Sequence, residues 1–363
     1  MQEKSLSYDP SLRRAGRGAV SNKTGRYETH ERPFEADGWD MDDEVRPLRT
    51  EVSVECPRKS ITYNRSPDLP FDRSINPYRG CEHGCIYCFA RPTHAWLGLS
   101  AGLDFETRLV ARPEIPRVLA RELRNKTYQV APIAIGTNTD PYQPIEKKFG
   151  IMRACLQILS DFNHPVAIVT KGSLIERDID ILSDMATRGL VKVGISVTTL
   201  DAEMSRKLEP RAPAPKRRLR MISRLAEACI PVRIMTSPII PGLTCHEIEP
   251  LLAAGAKAGA TAATWVMLRL PLEVSALFRE WLDAHVPDRA KRVMGLVREM
   301  HDGQDYAADW GRRMRGQGAY ADIIAQRFKL ASARLGLDQE MSVLRCDRFR
   351  PPPRPGDQLS LFE

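Results

Sequence analysis

The 363-residue sequence contains no run approaching the roughly 18 consecutive apolar residues that a membrane-spanning helix requires. Its first residues, Met1 to Ser5, do not lead into the apolar segment of a secretory signal peptide. Hydrophobic residues make up 42% of the chain and the mean hydropathy is −0.35, as in ordinary globular proteins. We therefore expect a cytoplasmic protein with no part embedded in a membrane.

The sequence also lacks the regularly spaced cysteines of a disulfide-stapled fold, although it contains eight cysteines. Five are scattered along the chain: Cys56, Cys155, Cys229, Cys245 and Cys346. Cys155 and Cys229 fall within helical patterns, where we interpret them as small core hydrophobes. The other three, Cys81, Cys85 and Cys88, lie within one short run and constrain the chemistry of the chain most tightly.

No obvious fourth cysteine completes this C-x3-C-x2-C group. A cubane [4Fe-4S] cluster normally binds four cysteine thiolates, so three leave one iron open to a substrate or cofactor. The alternative is a structural zinc site in which His83 or His94 supplies the fourth ligand. Zinc loops usually pair two short ligand clips separated by a longer stretch, and no second clip follows here. The spacing therefore favours an iron–sulfur cluster with an open iron.

The run from Gly80 to Ala90, with Tyr87 just before the last cysteine, resembles the signature of the radical S-adenosylmethionine (SAM) superfamily. The resemblance implies that Cys81, Cys85 and Cys88 bind a [4Fe-4S] cluster whose open iron chelates SAM, with Tyr87 beside this cofactor. Cleavage of SAM then gives methionine and a 5′-deoxyadenosyl radical that abstracts a hydrogen atom from the substrate. The resemblance also implies an electron donor such as flavodoxin or ferredoxin.

From Pro132 onward, β-rich apolar runs alternate with amphipathic stretches, the pattern of repeated βα units around a parallel sheet. The predicted strands are 74–78, 132–137, 166–170, 191–197, 232–237 and 263–268. The predicted helices are 115–124, 152–159, 179–185, 219–228 and 248–258. We expect an α/β fold, and the family resemblance implies an open parallel (βα)6 partial TIM barrel.

Composition divides the chain into four regions. We interpret residues 1–69 as an N-terminal arm that is partly ordered on the core, and residues 70–285 as the radical SAM core. Residues 286–349 are predicted to form a C-terminal helical extension. Its stretch from Tyr306 to Arg315 either packs on the barrel or contacts a polyanion. Residues 350–363 are predicted to be a Pro-rich flexible tail.

Polar residues follow the predicted strands at the edge where ligands bind in parallel βα folds. Thr139 and Asp140 come after the second strand, where the resemblance implies contact with the amino group of SAM, although such residues also form simple turns. Lys171 ends the third strand and Ser196 ends the fourth. The resemblance implies that Ser196 binds the ribose of SAM and that Lys171 or Arg211 binds its carboxylate. A substrate phosphate is the alternative ligand of Lys171.

Positive charge is concentrated in one segment. Between residues 206 and 224, eight basic residues accompany a single acidic one, Glu209, which places +7 of the net charge of +8 here. The segment enters a helix near Pro213 to Pro215, where the helix dipole adds to the attraction for anions. We predict contact with a polyanionic substrate, and the alternative is a solvated helix face. The predicted nucleic-acid contacts are Lys216, Arg217, Arg218 and Arg220.

Over about residues 70–270, the runs Asp72 to Gly80, Thr139 to Pro141 and Val169 to Lys171 resemble a bacterial branch related to spore photoproduct lyase and described as DNA repair photolyase-like. The resemblance implies a lyase-like enzyme that acts on DNA. Those lyases carry a cysteine hydrogen donor on the second strand, where this chain has Thr137, so the chain departs from their pattern. Cys245, after the fifth strand, is the candidate substitute donor, and a packed bystander is the alternative.

The tail carries the run Gln358, Leu359, Ser360, Leu361 and Phe362, which resembles the pentapeptide by which bacterial polymerases and repair proteins bind the sliding clamp. Leu and Phe anchors on a Pro-rich linker can enter an apolar groove and order there, although such a tail can also fold onto its own domain. The sequence therefore predicts a clamp-bound radical SAM enzyme that repairs or modifies DNA. The alternatives are an enzyme that modifies RNA or protein, and a non-catalytic zinc or iron–sulfur adaptor on the clamp.

Overall fold

The structure is a computed structural model that describes residues 16–28 and 48–353. The strands in these ranges are β1 (Glu51–Val54), β2 (Ile61–Tyr63), β3 (Arg73–Ile75), β4 (Tyr78–Arg79), β5 (Arg108–Ala111), β6 (Ile133–Ile135), β7 (Val166–Thr170), β8 (Val191–Ser196), β9 (Val232–Ile239) and β10 (Ala262–Met267). The α-helices there are α1 (Asp104–Thr107), α2 (Ile115–Leu123), α3 (Glu146–Phe149), α4 (Ile151–Asp161), α5 (Ile179–Thr187), α6 (Ala202–Leu208), α7 (Pro215–Glu227), α8 (Ile248–Lys257), α9 (Glu273–His285), α10 (Pro287–Glu299) and α11 (Ala319–Arg334). None of the helices in the two ranges has the length and apolarity that crossing a bilayer requires. The predicted clamp peptide lies outside the described residues: Gln358, Leu359, Leu361 and Phe362.

Seven strands form the main sheet, in the order β2, β3, β6, β7, β8, β9 and β10. The six strands that begin with β3 run parallel, as in the pairing of Ile133 with Val166 and of Val193 with Val232, whereas β2 is antiparallel to β3. Helices connect the parallel strands, as such crossovers require. Within the described ranges no ladder joins β10 to β2, so the (βα)6 barrel is open at this side. The predicted fold class is confirmed.

Most predicted strands and helices match the observed ones to within a few residues, and β7 coincides with its prediction. The first predicted strand, 74–78, is instead divided, because β3 ends at Ile75 and β4 belongs to a second sheet with β1 and β5. Pro77 stands between them and has no N–H for a ladder. The helix predicted from residue 219 begins earlier, at Pro215, because proline suits the first turn of a helix.

The helices bury one apolar face against the sheet. Ile151, Met152, Cys155 and Leu159 of α4 are buried in the main core, so the interpretation of Cys155 as a core hydrophobe is confirmed. The same interpretation of Cys229 is wrong, because this residue is exposed. It follows the end of α7 with a φ of 57°, a left-handed conformation that often terminates helices.

The C-terminal region covers the free edge of β10. The Met267 N–H donates to Met314 O and the Ala263 N–H to Leu337 O, each at 2.9 Å. Arg313 Nε reaches Asp68 Oδ2, in the loop between β2 and β3, at 2.6 Å. The two hydrogen bonds occupy backbone N–H groups of β10 that would otherwise be available for pairing with a strand of another chain. Together, the three contacts also connect the two sides of the open barrel.

Candidate active site

Cys81, Cys85 and Cys88 lie on a loop that starts directly after β4, beyond the carboxyl end of the first barrel strand. Two backbone hydrogen bonds shape this cysteine loop, from the Gly84 N–H to Cys81 O and from the Cys88 N–H to Cys85 O, each 3.2 Å long. Gly84 has a φ of 65°, which favours glycine, and a Cβ there would come within 2.5 Å of Glu106 Oε2. The glycine therefore allows the loop to close against Glu106.

Arg91 holds the cysteine loop from inside. Its Nε donates to Cys85 O at 3.0 Å, and its Nη2 donates to Gly84 O at 3.1 Å and to Glu106 Oε1 at 2.5 Å. Both members of the Arg91–Glu106 pair are fully buried. Glu106 also accepts two backbone N–H groups of the N-terminal arm, at 2.9 and 2.8 Å. Sequence reasoning missed this pair, although an arginine three positions after the last cysteine is a visible signal.

The three thiols fit an iron–sulfur cluster. Cys81 and Cys85 are buried and Cys88 is half-buried. Burial raises the pKa of all three thiols, so thiolates here require a bound metal to compensate for the lost solvation. In the described ranges no group of three or more Cys, His, Asp or Glu side chains converges on a single ion. A cubane cluster is compatible with this arrangement, because each thiolate binds a different iron atom and the three sulfur atoms need not surround one ion.

The two histidines considered as zinc ligands have other partners. His94 Nε2 is 2.8 Å from Arg108 O, and its ring packs edge-on against Phe105. His83 Nδ1 is 3.4 Å from Asp140 Oδ2. Because both histidines already contact other protein groups, the structure does not support the zinc interpretation.

Asp140 connects three parts of the barrel mouth. Its Oδ1 accepts the Thr170 hydroxyl at 2.6 Å, and its Oδ2 accepts the Lys171 N–H at 2.7 Å and faces His83. Burial alone would raise the pKa of Asp140, but His83 and the hydrogen bonds lower it to about 2. The carboxylate is therefore ionised and bound by protein donors, and it ties the cysteine loop to the end of β7.

Three other residues predicted to bind SAM lie near the strand ends, and each has a protein partner. Thr139 and Ser196 are buried, and each hydroxyl donates to a backbone carbonyl oxygen at 2.9 Å. Arg211 Nη2 donates to Glu82 Oε1, beside the first cysteine, at 3.0 Å. The Arg211 side chain is still 38% exposed, so its remaining N–H groups are accessible to a ligand carboxylate.

A buried charge network lies behind the cysteine loop. Lys171 Nζ is 4.0 Å from Glu209 Oε1 and 5.8 Å from the centre of the Tyr87 ring. Glu209 also pairs with Arg218 and accepts the Tyr87 hydroxyl. Burial alone would raise the pKa of Glu209, but Arg218 and Lys171 lower it to about 2. Burial alone would lower the pKa of Lys171, but Cys85 and Glu209 raise it above its ordinary value. Lys171 therefore carries a positive charge beside the loop.

The basic segment is only partly a surface. Arg218, predicted to contact nucleic acid, is 1% exposed and pairs with Glu209, so this prediction is wrong. Arg217 forms a bidentate ion pair with Glu176 at 2.5 and 2.7 Å, whereas Lys216 and Arg220 are exposed. Sequence reasoning missed the role of Glu209. A lone acidic residue among eight basic ones is a signal for a buried counter-charge.

Cys245 begins a short 3-10 turn, Cys245–Glu247, after β9, and it is buried. Its Sγ accepts the Gly242 N–H at 3.2 Å and lies 3.2 Å from the Tyr320 hydroxyl. It belongs to the main core, whereas Cys85 and Tyr87 belong to the core beside α9 and α10. No contact between described residues joins Cys245 to the cysteine loop, so its role as a hydrogen donor stays a prediction.

Comparisons with known proteins place this site in a family. The family model described as Radical SAM superfamily matches residues 75–254. A protein of Mycobacterium bovis, named only as uncharacterized, is 37% identical over 232 residues, which cover 63% of this chain and 68% of the relative. A variant of spore photoproduct lyase has a similar structure, with a TM-score of 0.55, 13% identity and coverage of 78% of this chain and 79% of that one. Spore photoproduct lyase complexed with dinucleoside spore photoproduct gives a TM-score of 0.51 at 14% identity, over 78% of this chain and 79% of that one. The chain therefore belongs to the radical SAM superfamily, whose enzymes use a [4Fe-4S] cluster and SAM.

Proposed function

We propose that this protein uses radical SAM chemistry to repair or modify a base in DNA, in the cytoplasm. The observation that carries the proposal is the loop of Cys81, Cys85 and Cys88 at the barrel mouth, with the positive charge of Lys171 behind it. The DNA substrate is supported by exposed basic residues at the start of α7, on the same end of the barrel. It is also supported by the fold shared with spore photoproduct lyase, whose complex contains a dinucleoside spore photoproduct.

In this proposal the three cysteines hold the cluster and leave one iron open for SAM. A reduced cluster held by these cysteines would supply the electron for the reductive cleavage of SAM. Lys171 and Arg211 attract the SAM carboxylate, and Ser196 lies where the ribose binds. Tyr87 closes the buried side of the site, where it keeps water from the radical.

Thr139 and Asp140 have a positioning role in the proposal. Asp140 orients the loop after β6, and that loop then presents polar groups to the amino group of SAM. We also propose the boundaries 1–69, 70–285, 286–349 and 350–363 for the arm, the core, the helical region and the tail.

The DNA substrate must present its base outside a regular stack. A base within a duplex has to be unpaired before it reaches a buried radical, at a cost of a few kcal/mol that favours damaged or mismatched sites. Lys216 and Arg220 contact the phosphates on either side of such a base, and Arg217 joins them by exchanging Glu176 for a phosphate. Such contacts position a protein on DNA without reading its sequence.

The first experiment tests the radical chemistry. Anaerobically reconstituted protein is incubated with SAM and dithionite, and 5′-deoxyadenosine is quantified. We expect product from the wild type and from Cys229→Ala, which replaces an exposed cysteine, and none from Cys85→Ala. Equal product from Cys85→Ala would remove the basis of the proposal. Replacing dithionite by reduced flavodoxin or ferredoxin then tests the electron donor.

A second experiment tests the DNA part by competition between labelled DNA and heparin at moderate salt. We expect a preference for DNA, and a Lys216→Ala/Arg220→Ala variant should reduce the salt slope for duplex DNA by about 1.8. Lys329→Ala/Arg334→Ala on α11 is the control for removing two exposed charges. A wild type that binds heparin and DNA alike contradicts the DNA substrate.

The tail is proposed to bind the bacterial sliding clamp through Gln358, Leu359, Leu361 and Phe362. A chain that ends at Asp357 should lose binding to purified clamp and should still form 5′-deoxyadenosine at the wild-type rate. Unchanged clamp binding by this truncated chain would show that the peptide is not the docking element.

A further inference from the structure

Beside the cysteine loop, an exposed aromatic ring is stacked with a guanidinium group. Phe89 directly follows Cys88 and is 41% exposed. The guanidinium of Arg269, which follows β10, lies 4.6 Å from the centre of the Phe89 ring, and its Nη2 donates to Tyr306 OH at 3.2 Å. Arg269 Nε is buried without a hydrogen-bond partner among the described residues. The accessible Phe89 ring, with a guanidinium group stacked on it, forms a flat surface that suits a planar polar ligand.

An open cavity of about 660 Å³ is lined in part by Tyr306. Ser275, Arg279, Arg298 and Asp305 contribute to its lining. Asp305 accepts Arg298 Nε at 2.9 Å and also binds Arg279 and Ser275. Because one carboxylate pairs with two guanidinium groups, the group of four carries a net positive charge. The two arginine side chains are 44% and 43% exposed, and both Nη atoms of Arg298 have no partner within the described ranges.

Tyr306 is shared by the stack and the cavity, and we refer to the two together as the cleft. Tyr306 lines the cavity, bonds to Arg269 and packs against the core that contains Cys85. Because Arg269 contacts both Tyr306 and Phe89, and Phe89 follows Cys88, the cleft extends from the arginine pair to the cysteine loop. A volume of several hundred Å³ suits a nucleotide-sized ligand. Stacked guanidinium and aromatic groups beside a positively charged groove are the elements with which proteins bind single-stranded nucleic acid.

We propose that this cleft binds an unpaired nucleotide of a DNA strand, with a phosphodiester at Arg279 and Arg298 and the base against Phe89 and Arg269. The inference rests on the proposed function, because it takes DNA as the substrate. It adds the surface that delivers the base to the cysteine loop. The cleft lies outside α7, so Lys216 and the other basic residues of that helix contact different phosphates.

Fluorescence anisotropy of the anaerobic full-length protein tests the cleft with a labelled single-stranded DNA and a hairpin duplex over a series of salt concentrations. The Arg279→Gln/Arg298→Gln variant removes both charges but keeps donors for Asp305. It should reduce the salt slope for the single strand by about 1.4, the value for two lost phosphate contacts. Phe89→Leu keeps an apolar side chain but removes the flat ring. It should bind the single strand roughly tenfold more weakly with an unchanged salt slope.

Lys329→Ala/Arg334→Ala is the charge control, and absorbance near 400 nm with thermal melting verifies cluster and fold in every variant. If both cleft variants keep the affinity and the salt slope of the wild type, the proposed binding of a nucleotide in the cleft is wrong. The proposed function would still stand in that case, provided that the wild type binds DNA. A wild type that binds no DNA overturns both the cleft and the DNA substrate. A change in the arginine variant equal to that of the control also overturns the cleft.

Discussion

At the scale of single residues, Glu209 balances the charge behind the cysteine loop. Its carboxylate is fully buried and pairs with Arg218, which is 1% exposed, and with Lys171, which is 17% exposed. Removing one partner of such a group leaves the other charge buried and uncompensated. The stability of the site therefore depends on Glu209 more than on any exposed ion pair of the basic segment.

We predict that Glu209→Gln lowers the free energy of unfolding by about 3 kcal/mol, because it leaves Arg218 without a counter-charge. Glu203→Gln is the matched control, since Glu203 is 77% exposed and its pairing with Lys207 contributes little. Urea denaturation of the two variants and the wild type measures the difference. Equal loss in both variants would contradict a stabilising role for the buried carboxylate.

Arg91 is the second residue on which the site depends, because its guanidinium binds two carbonyl oxygens of the cysteine loop and Glu106. We predict that Arg91→Gln lowers the iron content per chain severalfold after reconstitution, since the loop loses its support. Arg117→Gln, at a side chain that is 75% exposed, should retain the wild-type iron content. Iron analysis and absorbance near 400 nm provide the measurement, and full iron content in Arg91→Gln would contradict the prediction.

At the scale of elements, the end of the described chain is attached to the face of the barrel opposite the cysteine loop. His164 lies just before β7, accepts the Tyr128 hydroxyl on Nε2 at 2.7 Å and donates from Nδ1 to Pro165 O at 2.9 Å. Phe349 packs edge-on against the His164 ring, with 5.4 Å between the two ring centres. The segment that leads to the tail therefore begins away from the mouth, so the proposed binding of the clamp would not compete with the proposed binding of the substrate.

The His164 contacts predict a specific pH dependence. Burial lowers the pKa of His164 to about 4, below the value of about 6.5 for an unfolded chain. The unfolded state therefore binds more protons between these values, and stability falls as the pH drops from about 6.5 to 4, by up to about 3 kcal/mol. His164→Asn should lose less stability over this interval than the wild type.

Urea unfolding at several pH values between 4 and 7 checks this difference. His246→Asn, at an exposed histidine, is the control and should follow the wild-type curve. Parallel curves for His164→Asn and the wild type would show that the histidine is not held neutral in the folded protein.

At the scale of the whole molecule, the N-terminal arm and the cysteine loop support each other. Gly18 donates its N–H to Glu106 Oε2 at 2.9 Å, and Arg17 Nη1 donates to Glu106 O at 2.9 Å. Further along the arm, Ser21 donates its hydroxyl to Glu280 of α9 at 2.6 Å. The arm thus connects the loop to the C-terminal helices, and metal binding by the loop is expected to stabilise it.

We predict that removal of the cluster accelerates tryptic cleavage after Lys23 and Arg26 severalfold, because the loop against which the arm packs loses its metal. Limited proteolysis with mass spectrometry of loaded and cluster-free protein measures the two sites. Cleavage after Lys329 and Arg334 on α11 is the internal control and should not change. Equal arm cleavage with and without the cluster would show that the arm and the loop are independent.

The sequence by itself determined the strands and helices of the barrel and the cysteine loop. The apolar periods that distinguish strands from helices are local properties, and β7 and α8 follow them almost residue by residue. The spacing of Cys81, Cys85 and Cys88 is also local, because all three lie on one loop. Both features can be derived without knowing which distant residues meet.

Only the tertiary structure decided which charges are buried and which residues surround the loop. Lys216 and Arg218 lie in one basic run, yet one is exposed and the other is buried against Glu209. The orientation of α7 against the sheet separates them, and composition does not encode it. Phe89 and Arg269 are far apart in sequence, yet the Arg269 guanidinium lies 4.6 Å from the centre of the Phe89 ring, because the fold brings the segment after β10 next to the cysteine loop.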